Sequence, residues 1–520
     1  MATELQNQSV LVSRNPANKE VIGETMSTPL NEIPAIAERA RQVSLSWRQK
    51  SLSERLECVK KFRDLLSHGR DSLSKLITTE CGKPFTEAMV SEVFGILETC
   101  QWLENKAPQL LKDKHVDLNP VFFSGKKSYN TFQPLGVIAV VSPWNYPFSI
   151  PAASLLLAAT AGNGAVLKPS PKTPLVAAAL IELMEKAGFP RGLLGLVQGD
   201  RRECEKLILS GVDRVVFTGS VGGGKAIMSI AAQKLVPVTL ELGGKHPAIV
   251  LPDVDLDAAA SGIVWSSFTN SGQACASIDR LYLVNPLGEK LLPKIVERAS
   301  SLRLGNGLDS NTDIGPLVDA QQFERIQTFL NDARSKGARI LCGGKAREDL
   351  GGYYFEPTIV TDLNNDMLIM QEENFGPLLP VFTVASADEA LARANESELG
   401  LTASVWTADL TRGEELARQI TAGVVWLNDG LYSHVCPDAP WGGVKYSGFG
   451  RAHSEYELLD MVCIKNIGVA GQGLRDWHFP YSETSREYIK AGIDLLHKST
   501  VSEKIEALMR IITLKPRLRK

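Results

Sequence analysis

Glu241 closes the apolar run Val238-Thr239-Leu240 and precedes Leu242-Gly243-Gly244-Lys245. A carboxylate emerging at a strand terminus beside flexible backbone suits a general base, although a buried carboxylate paired with a lysine would leave the same trace. Upstream, Val215-Val216-Phe217 runs into Thr218-Gly219-Ser220-Val221-Gly222-Gly223-Gly224-Lys225 and then a helical stretch. Glycines let the backbone approach a ligand closely, and amides at a helix start suit a phosphate. The spacing Gly219, Gly224, Lys225 is nearly that of a P-loop, but Ala226 stands where a magnesium-binding hydroxyl is required, which argues against a nucleotidase. Cys275 stands in Phe268-Thr269-Asn270-Ser271-Gly272-Gln273-Ala274-Cys275, and Asn145 in Pro143-Trp144-Asn145-Tyr146-Pro147. A lone cysteine is ordinarily a small buried hydrophobe, and an asparagine between prolines a turn residue. Together, a thiol, a side-chain amide and a carboxylate are parts able to attack a carbonyl and hydrolyse a thioester.

These stretches, with Glu372-Glu373-Asn374-Phe375-Gly376-Pro377, resemble the motifs of aldehyde dehydrogenases, in the family's order and over roughly residues 15–468. The resemblance implies oxidation of an aldehyde to the carboxylic acid with NAD or NADP. Cys275, in a context similar to the family's Gly-Gln-x-Cys, would be the thiolate that forms a thiohemiacetal. Hydride loss then leaves a thioester, hydrolysed by water that Glu241 activates. Asn145 matches the family's oxyanion residue, with the Cys275 backbone N–H as second donor. Lys168 matches the lysine that contacts the adenosine ribose, while Glu373 and Phe375 match the residues at the nicotinamide ribose and ring. The Thr218–Lys225 loop resembles the family's cofactor loop; no well-placed GxGxxG occurs. The cofactor contacts so implied are Ser142, Pro143, Trp144, Lys168, Ser170, Gly199, Gly219, Ser220, Gly224, Leu242, Gly243, Glu373 and Phe375, with no metal. Asn428 and the run from Pro440 to Arg451 also resemble the family, their glycines being architectural.

The elements that must position these residues alternate. Residues 136–141 form a short apolar run that reads as a buried strand, followed by helix 150–161, strand 165–167, helix 175–187, strand 193–197, helix 203–209 and strand 214–217. Such alternation predicts a parallel sheet with crossover helices, which binds ligands at the carboxyl ends of its strands. After Glu241 it restarts with strand 248–250, helix 256–270, strand 280–284 and helix 288–301; later strands are expected at 356–360, 380–383, 403–406 and 423–427. Ahead of these, helices are expected over 31–66 and 85–103, and the β-prone run 121–133 with its Gly-Lys-Lys predicts a hairpin. The expected fold class is α/β. A Rossmann-like cofactor domain takes residues 1–117 and 135–243, and an α/β catalytic domain 244–445. A small β bridging (oligomerisation) element takes 118–134 and 455–471, and a helical tail 472–520.

Composition is that of an ordinary globular chain: 520 residues, 44% hydrophobic, 22% charged. The net charge of −3 gives no reason to expect a nucleic-acid partner. Eight cysteines without a CxxC pair argue against zinc and fit a reducing, cytoplasmic setting. The expected partners are a small aldehyde and further copies of the chain, as homodimer or homotetramer.

Three positions depart from the family pattern. Pro171 stands where NAD-preferring members often carry a glutamate; with Arg201 and Arg202 near Gly199, this predicts NADP tolerance. Trp265, Phe268, Thr269 and Asn270 make the approach to the thiol uncharged, and no basic anchor is evident beyond Arg280. That predicts a neutral, apolar aldehyde of medium or long chain. In the tail, Val501, Ile505, Leu508, Ile511 and Ile512 recur at helical spacing before Lys515, Arg517, Arg519 and Lys520. This pattern suits either an anionic membrane surface or docking on protein. Two alternatives remain at this point: an acylating relative that uses coenzyme A, against which Glu241 argues, and a non-catalytic homologue, against which the retention of Cys275, Glu241 and Asn145 argues.

Overall fold

The structure is a computed structural model that describes residues 8–119, 123, 125–431, 435–472, 479 and 481–514. It falls into two compact units, Met1–Leu110 with Pro134–Cys463, and Leu111–Gln133 with Ile464–Lys520.

The larger unit holds two parallel sheets. In the first, Val137–Val141 is central, flanked on one side by Gly164–Lys168 and Leu194–Leu196 and on the other by Arg214–Thr218 and Val238–Glu241. Strand order therefore reverses between Val137–Val141 and Arg214–Thr218, and the crevice beyond their carboxyl ends is where such a sheet receives ligands. Val137–Val141 and Gly164–Lys168 are buried at every position, as continuous apolar strands covered on both faces must be. A late strand, Gly448–Phe449, adds antiparallel to the outer edge, Gly448 opposite Glu241.

The second sheet runs Arg339–Cys342, Thr358–Thr361, Leu378–Val384, Arg280–Val284, Pro247–Val250, Thr402–Trp406 and Val424–Leu427, parallel except for the first. One face buries Ile263, Val264 and Phe268 of helix Leu256–Phe268; the other buries Ala390 and Leu416 from two later helices.

Several expected elements take another form. Residues 121, 122 and 124 of the expected hairpin lie outside the described residues. Lys126–Pro134 is one strand, paired antiparallel with Lys114–His115 and sharing a three-stranded sheet with Val462–Ala470. Gly125, with φ of 72°, stands directly before that strand. The expected helix 85–103 contains a π-helical stretch, Met89–Phe94, and runs on to Leu110. Helix 288–301 divides at Leu291, where Pro293 begins the second piece. Helix Ala320–Ser335 was not anticipated, although Asp319 caps it by accepting the Gln322 amide at 2.9 Å. In the smaller unit the tail forms helices Glu483–His497 and Val501–Leu514, while Lys515, Arg517, Arg519 and Lys520 lie outside the described residues. Among the described residues no helix is long and apolar enough to cross a membrane.

One buried ion pair anchors the segment that carries Asn145. Lys83 Nζ lies 2.6 Å from Glu92 Oε1, both side chains fully inaccessible. Glu92 Oε2 accepts the amides of Phe148 and Ser149 at 3.1 and 2.8 Å, at the start of helix Ser149–Thr160. Lys83 also sits 4.0 Å from the centroid of the Tyr146 ring. Removing one member of such a pair leaves a buried charge uncompensated. Lys83→Met is expected to destabilise the protein by about 3–5 kcal/mol, read from the urea midpoint at constant m-value.

Candidate active site

Cys275 is presented by a strained turn. After helix Leu256–Phe268 the chain passes through Asn270 (φ 52°), Ser271 (φ 57°) and Gly272 (φ 71°), all left-handed. Each neighbour fixes it. The Asn270 amide donates to Glu87 Oε2 at 2.8 Å, Ser271 Oγ to the Gly315 carbonyl at 2.7 Å, and Gln273 Nε2 to the Asn270 carbonyl at 3.0 Å. Gln273 Oε1 in turn accepts the Val318 amide at 2.9 Å. Gly272 is required, because a β-carbon there would lie 2.2 Å from the Gly376 carbonyl oxygen.

Asn145 and Glu241 come to the same place from the carboxyl ends of Val137–Val141 and Val238–Glu241. Asn145 Nδ2 donates to the Gln273 carbonyl at 3.1 Å, and Asn270 Nδ2 donates to the Asn145 carbonyl at 3.2 Å. Glu241 is 4% exposed, and neither carboxylate oxygen has a hydrogen-bond partner among the described residues. The nearby Ala452 amide is spent on the Trp441 carbonyl at 2.8 Å. Burial, then the Glu457 carboxylate, pushes Glu241 well above the usual carboxylate range, against the pull of Arg451. Burial, then the charges of Glu373 and Glu241, push the Cys275 thiol up to about 12.

Two cavities meet here, sharing Thr218, Glu241 and Cys275. The first is lined by Pro143, Trp144, Asn145, Gly219, Ser220, Leu242, Gly243, Glu373 and Phe375, together with Gln321, Gln322 and Arg325. Trp144 and Phe375 meet edge to face at 5.4 Å. Ser220 caps helix Val221–Ala232 through the Gly223 amide at 3.1 Å, leaving a helix start directed at the cavity. Glu373 Oε1 accepts the Gly244 amide at 3.2 Å, and burial, then Asp279, push Glu373 up to about 8. A β-carbon on Gly243 would lie 2.3 Å from this carboxylate. A helix start for phosphate, an acidic acceptor for ribose hydroxyls and an aromatic pair fit a dinucleotide.

Other expected contacts lie apart from this cavity. Lys168 ends the neighbouring strand, and Ser170 follows it. Lys168 is buried, and that burial lowers its pKa while Cys204, Asp200 and Glu203 act oppositely. Gly199 makes room for Glu203, whose carboxylate completes the capping box of helix Arg201–Leu209. Gly224 lies inside its helix and lets it close on Leu242, a β-carbon there falling 2.6 Å from Leu242 Cδ2. Ser142 is buried, and its hydroxyl has no partner among the described residues.

The second cavity corrects the expected approach to the thiol. Trp265, Phe268 and Thr269 line a separate cavity with Pro84 and Arg298, because the left-handed turn carries Cys275 away from the helix that bears them. Arg280 is buried, and its guanidinium donates to the carbonyls of Lys245, Arg393 and Ala394. The cavity at Cys275 is instead lined by Ile96, Thr99, Tyr146, Ile150, Ala153, Leu431 and Trp441, with Ser154, His453 and Glu457. Sequence reasoning missed these. Helical spacing from Asn145 could have indicated 149, 150, 153 and 154; nothing local marks Glu457.

The aldehyde dehydrogenase family model matches residues 3–467. The glutarate-semialdehyde dehydrogenase of Pseudomonas aeruginosa is 36% identical over 90% of this chain and 96% of its own. The NADP(+) succinate-semialdehyde dehydrogenase of Escherichia coli is 34% identical over 89% and 95%. The solved NAD+ complex of the Bacillus cereus aldehyde dehydrogenase superposes with a TM-score of 0.84, at 31% identity over 89% of this chain and 94% of that one. Carried by motifs that converge on one thiol between two cavities, the match leaves no ambiguity of class: the chain belongs to the aldehyde dehydrogenase family and is an NAD(P)-dependent enzyme that oxidises aldehydes.

Proposed function

We propose that Cys275, Glu241 and Asn145 divide the chemistry, a reading carried by their convergence where the two cavities join. The Cys275 thiol gives up its proton to solvent water, and the thiolate attacks the aldehyde carbon. Asn145 Nδ2 and the Cys275 amide donate to the resulting alkoxide. The bound dinucleotide supplies a hydride acceptor. Glu241 then removes a proton from water, which adds to the thioester and releases the acid and the thiol. Cys275→Ser is expected to lower turnover about a thousandfold or more while cofactor binding, read by fluorescence, persists. Glu241→Gln keeps the hydride step and slows deacylation about 10²–10⁴-fold, seen as an NADH burst without steady turnover.

The cofactor face supports use of NADP as well as NAD. Pro171 offers no carboxylate against a 2′-phosphate, and the neighbouring Lys172 pairs with Asp319 at 2.6 Å. A kcat/KM with NADP below about a hundredth of that with NAD would overturn this.

The substrate cavity supports a neutral, apolar aldehyde of medium or long chain. Among its described lining residues there is no lysine or arginine, while the two carboxylates of Glu241 and Glu457 oppose an anionic substrate. The names of the two enzyme relatives favour a second reading, a short dicarboxylic semialdehyde. An NADH assay over alkanals of rising length and succinic semialdehyde decides. Higher kcat/KM for the alkanals supports the first reading, and preference for the semialdehyde the second.

The tail supports contact with another surface. Val501, Ile505, Leu508, Met509 and Ile512 form one exposed stripe on helix Val501–Leu514, and the last eleven residues hold five Lys or Arg and no Asp or Glu. An anionic membrane suits that charge, and a second or fourth copy of the chain would cover the stripe equally. Full-length protein is expected to co-sediment with vesicles containing phosphatidylserine, whereas a form lacking 500–520 is not. Equal binding by both forms, with light scattering showing loss of oligomers in the truncated form, assigns the stripe to subunit contact.

A further inference from the structure

Glu457 has no place in the steps above, yet it is buried in the wall of the substrate cavity with Glu241 and Cys275. Two elements hold its carboxylate. Oε1 accepts the hydroxyl of Ser154 on helix Ser149–Thr160 at 2.8 Å, and Oε2 accepts the His453 amide at 2.6 Å. No lysine or arginine forms an ion pair with it among the described residues. The nearest guanidinium, Arg214, is committed to Asp460 and to Thr239 Oγ1. Glu241, by contrast, has no donor on either oxygen among the described residues.

We propose that Glu457 is a positioning residue for deacylation, which holds a fixed negative charge across the substrate cavity so that Glu241 is the last carboxylate to ionise and the stronger base. The proposal rests on the reading of Glu241 as the water-activating base. Two carboxylates in one water-poor cavity cannot ionise independently: the better-solvated one loses its proton first, and the other titrates against that charge. Burial raises Glu457 too, but the His453 amide and the Ser154 hydroxyl draw it back down, so it ionises first. Its charge then acts on Glu241, in the direction of the shift found there. The other groups facing Glu241 are Arg451, which opposes the effect, and the Cys275 thiol; those acting on Glu457 are Asp460 and Arg214, and His453 lines the same cavity. A base raised in this way accepts the proton of water more readily near and above neutral pH.

The test follows steady-state turnover against pH, with the NADH burst recorded in the same traces, for the full-length enzyme with saturating cofactor and a hydrophobic alkanal. In Glu457→Gln the rising limb is expected to move about one unit toward acid, with a lower plateau and an unchanged burst amplitude. Glu457→Asp, which restores the charge, returns the limb toward its original position. A burst of normal size with an unmoved limb in Glu457→Gln overturns the proposal. If Glu457→Gln shows no burst, Ser154→Ala decides instead. Loss of the hydroxyl loosens the hold on the Glu457 charge and moves the limb toward acid, by less than Glu457→Gln does, and an unmoved limb overturns the proposal. Glu241→Gln separates the two ideas: normal steady turnover there sinks the base reading itself, whatever Glu457 does.

Discussion

A helix cannot present a cysteine to two cavities at once, and the structure resolves this with three consecutive left-handed residues, Asn270, Ser271 and Gly272. Two are not glycine, and each such residue costs of order 1–3 kcal/mol. The turn persists because separate parts of the chain hold it: Glu87 from the helical region before the first sheet, Gly315 and Val318 from the second, and the Gln273 side chain from within. Glu87, pushed up to about 7 mainly by its own burial, is drawn down by the Asn270 amide and Lys83. The thiol's position is therefore inherited from contacts on both sides of the crevice.

The second constraint is electrostatic. Glu241, Glu373 and Glu457 stand around Cys275 or one another with little compensating positive charge. Such surroundings resist a further negative charge, so the resting thiol stays protonated and poorly nucleophilic. Reactivity then belongs to the assembled site, and unproductive oxidation of the idle thiol is suppressed.

Most of this was legible where chemistry is written in contiguous residues. Both parallel sheets followed from apolar runs alternating with helical periods, and Cys275, Glu241, Asn145, Glu373 and Phe375 were readable because each sits in a short contiguous motif. The substrate cavity was not. Its walls come from helix Ser149–Thr160, the π-helical stretch at Met89–Phe94 and residues beyond 430, whose side chains converge only after folding. Trp265 and Phe268 were misplaced for the same reason: proximity in sequence to Cys275 counted for little once the left-handed turn intervened. Glu457 gave no local sign, since a glutamate on a short helix reads as a solvated face until Ser154 is found beside it.

The short strand Gly448–Phe449 lies directly along Val238–Glu241, opposite Glu241 itself. The first sheet is thus completed by chain made after the whole second sheet. A nascent polypeptide can fold its first five strands early, but its outermost strand then displays unpaired amides and carbonyls, a template for other chains. Synthesis beyond Phe449 removes that hazard and brings a strand alongside Glu241 in one event. Until that strand is made, the edge beside Glu241 needs shielding.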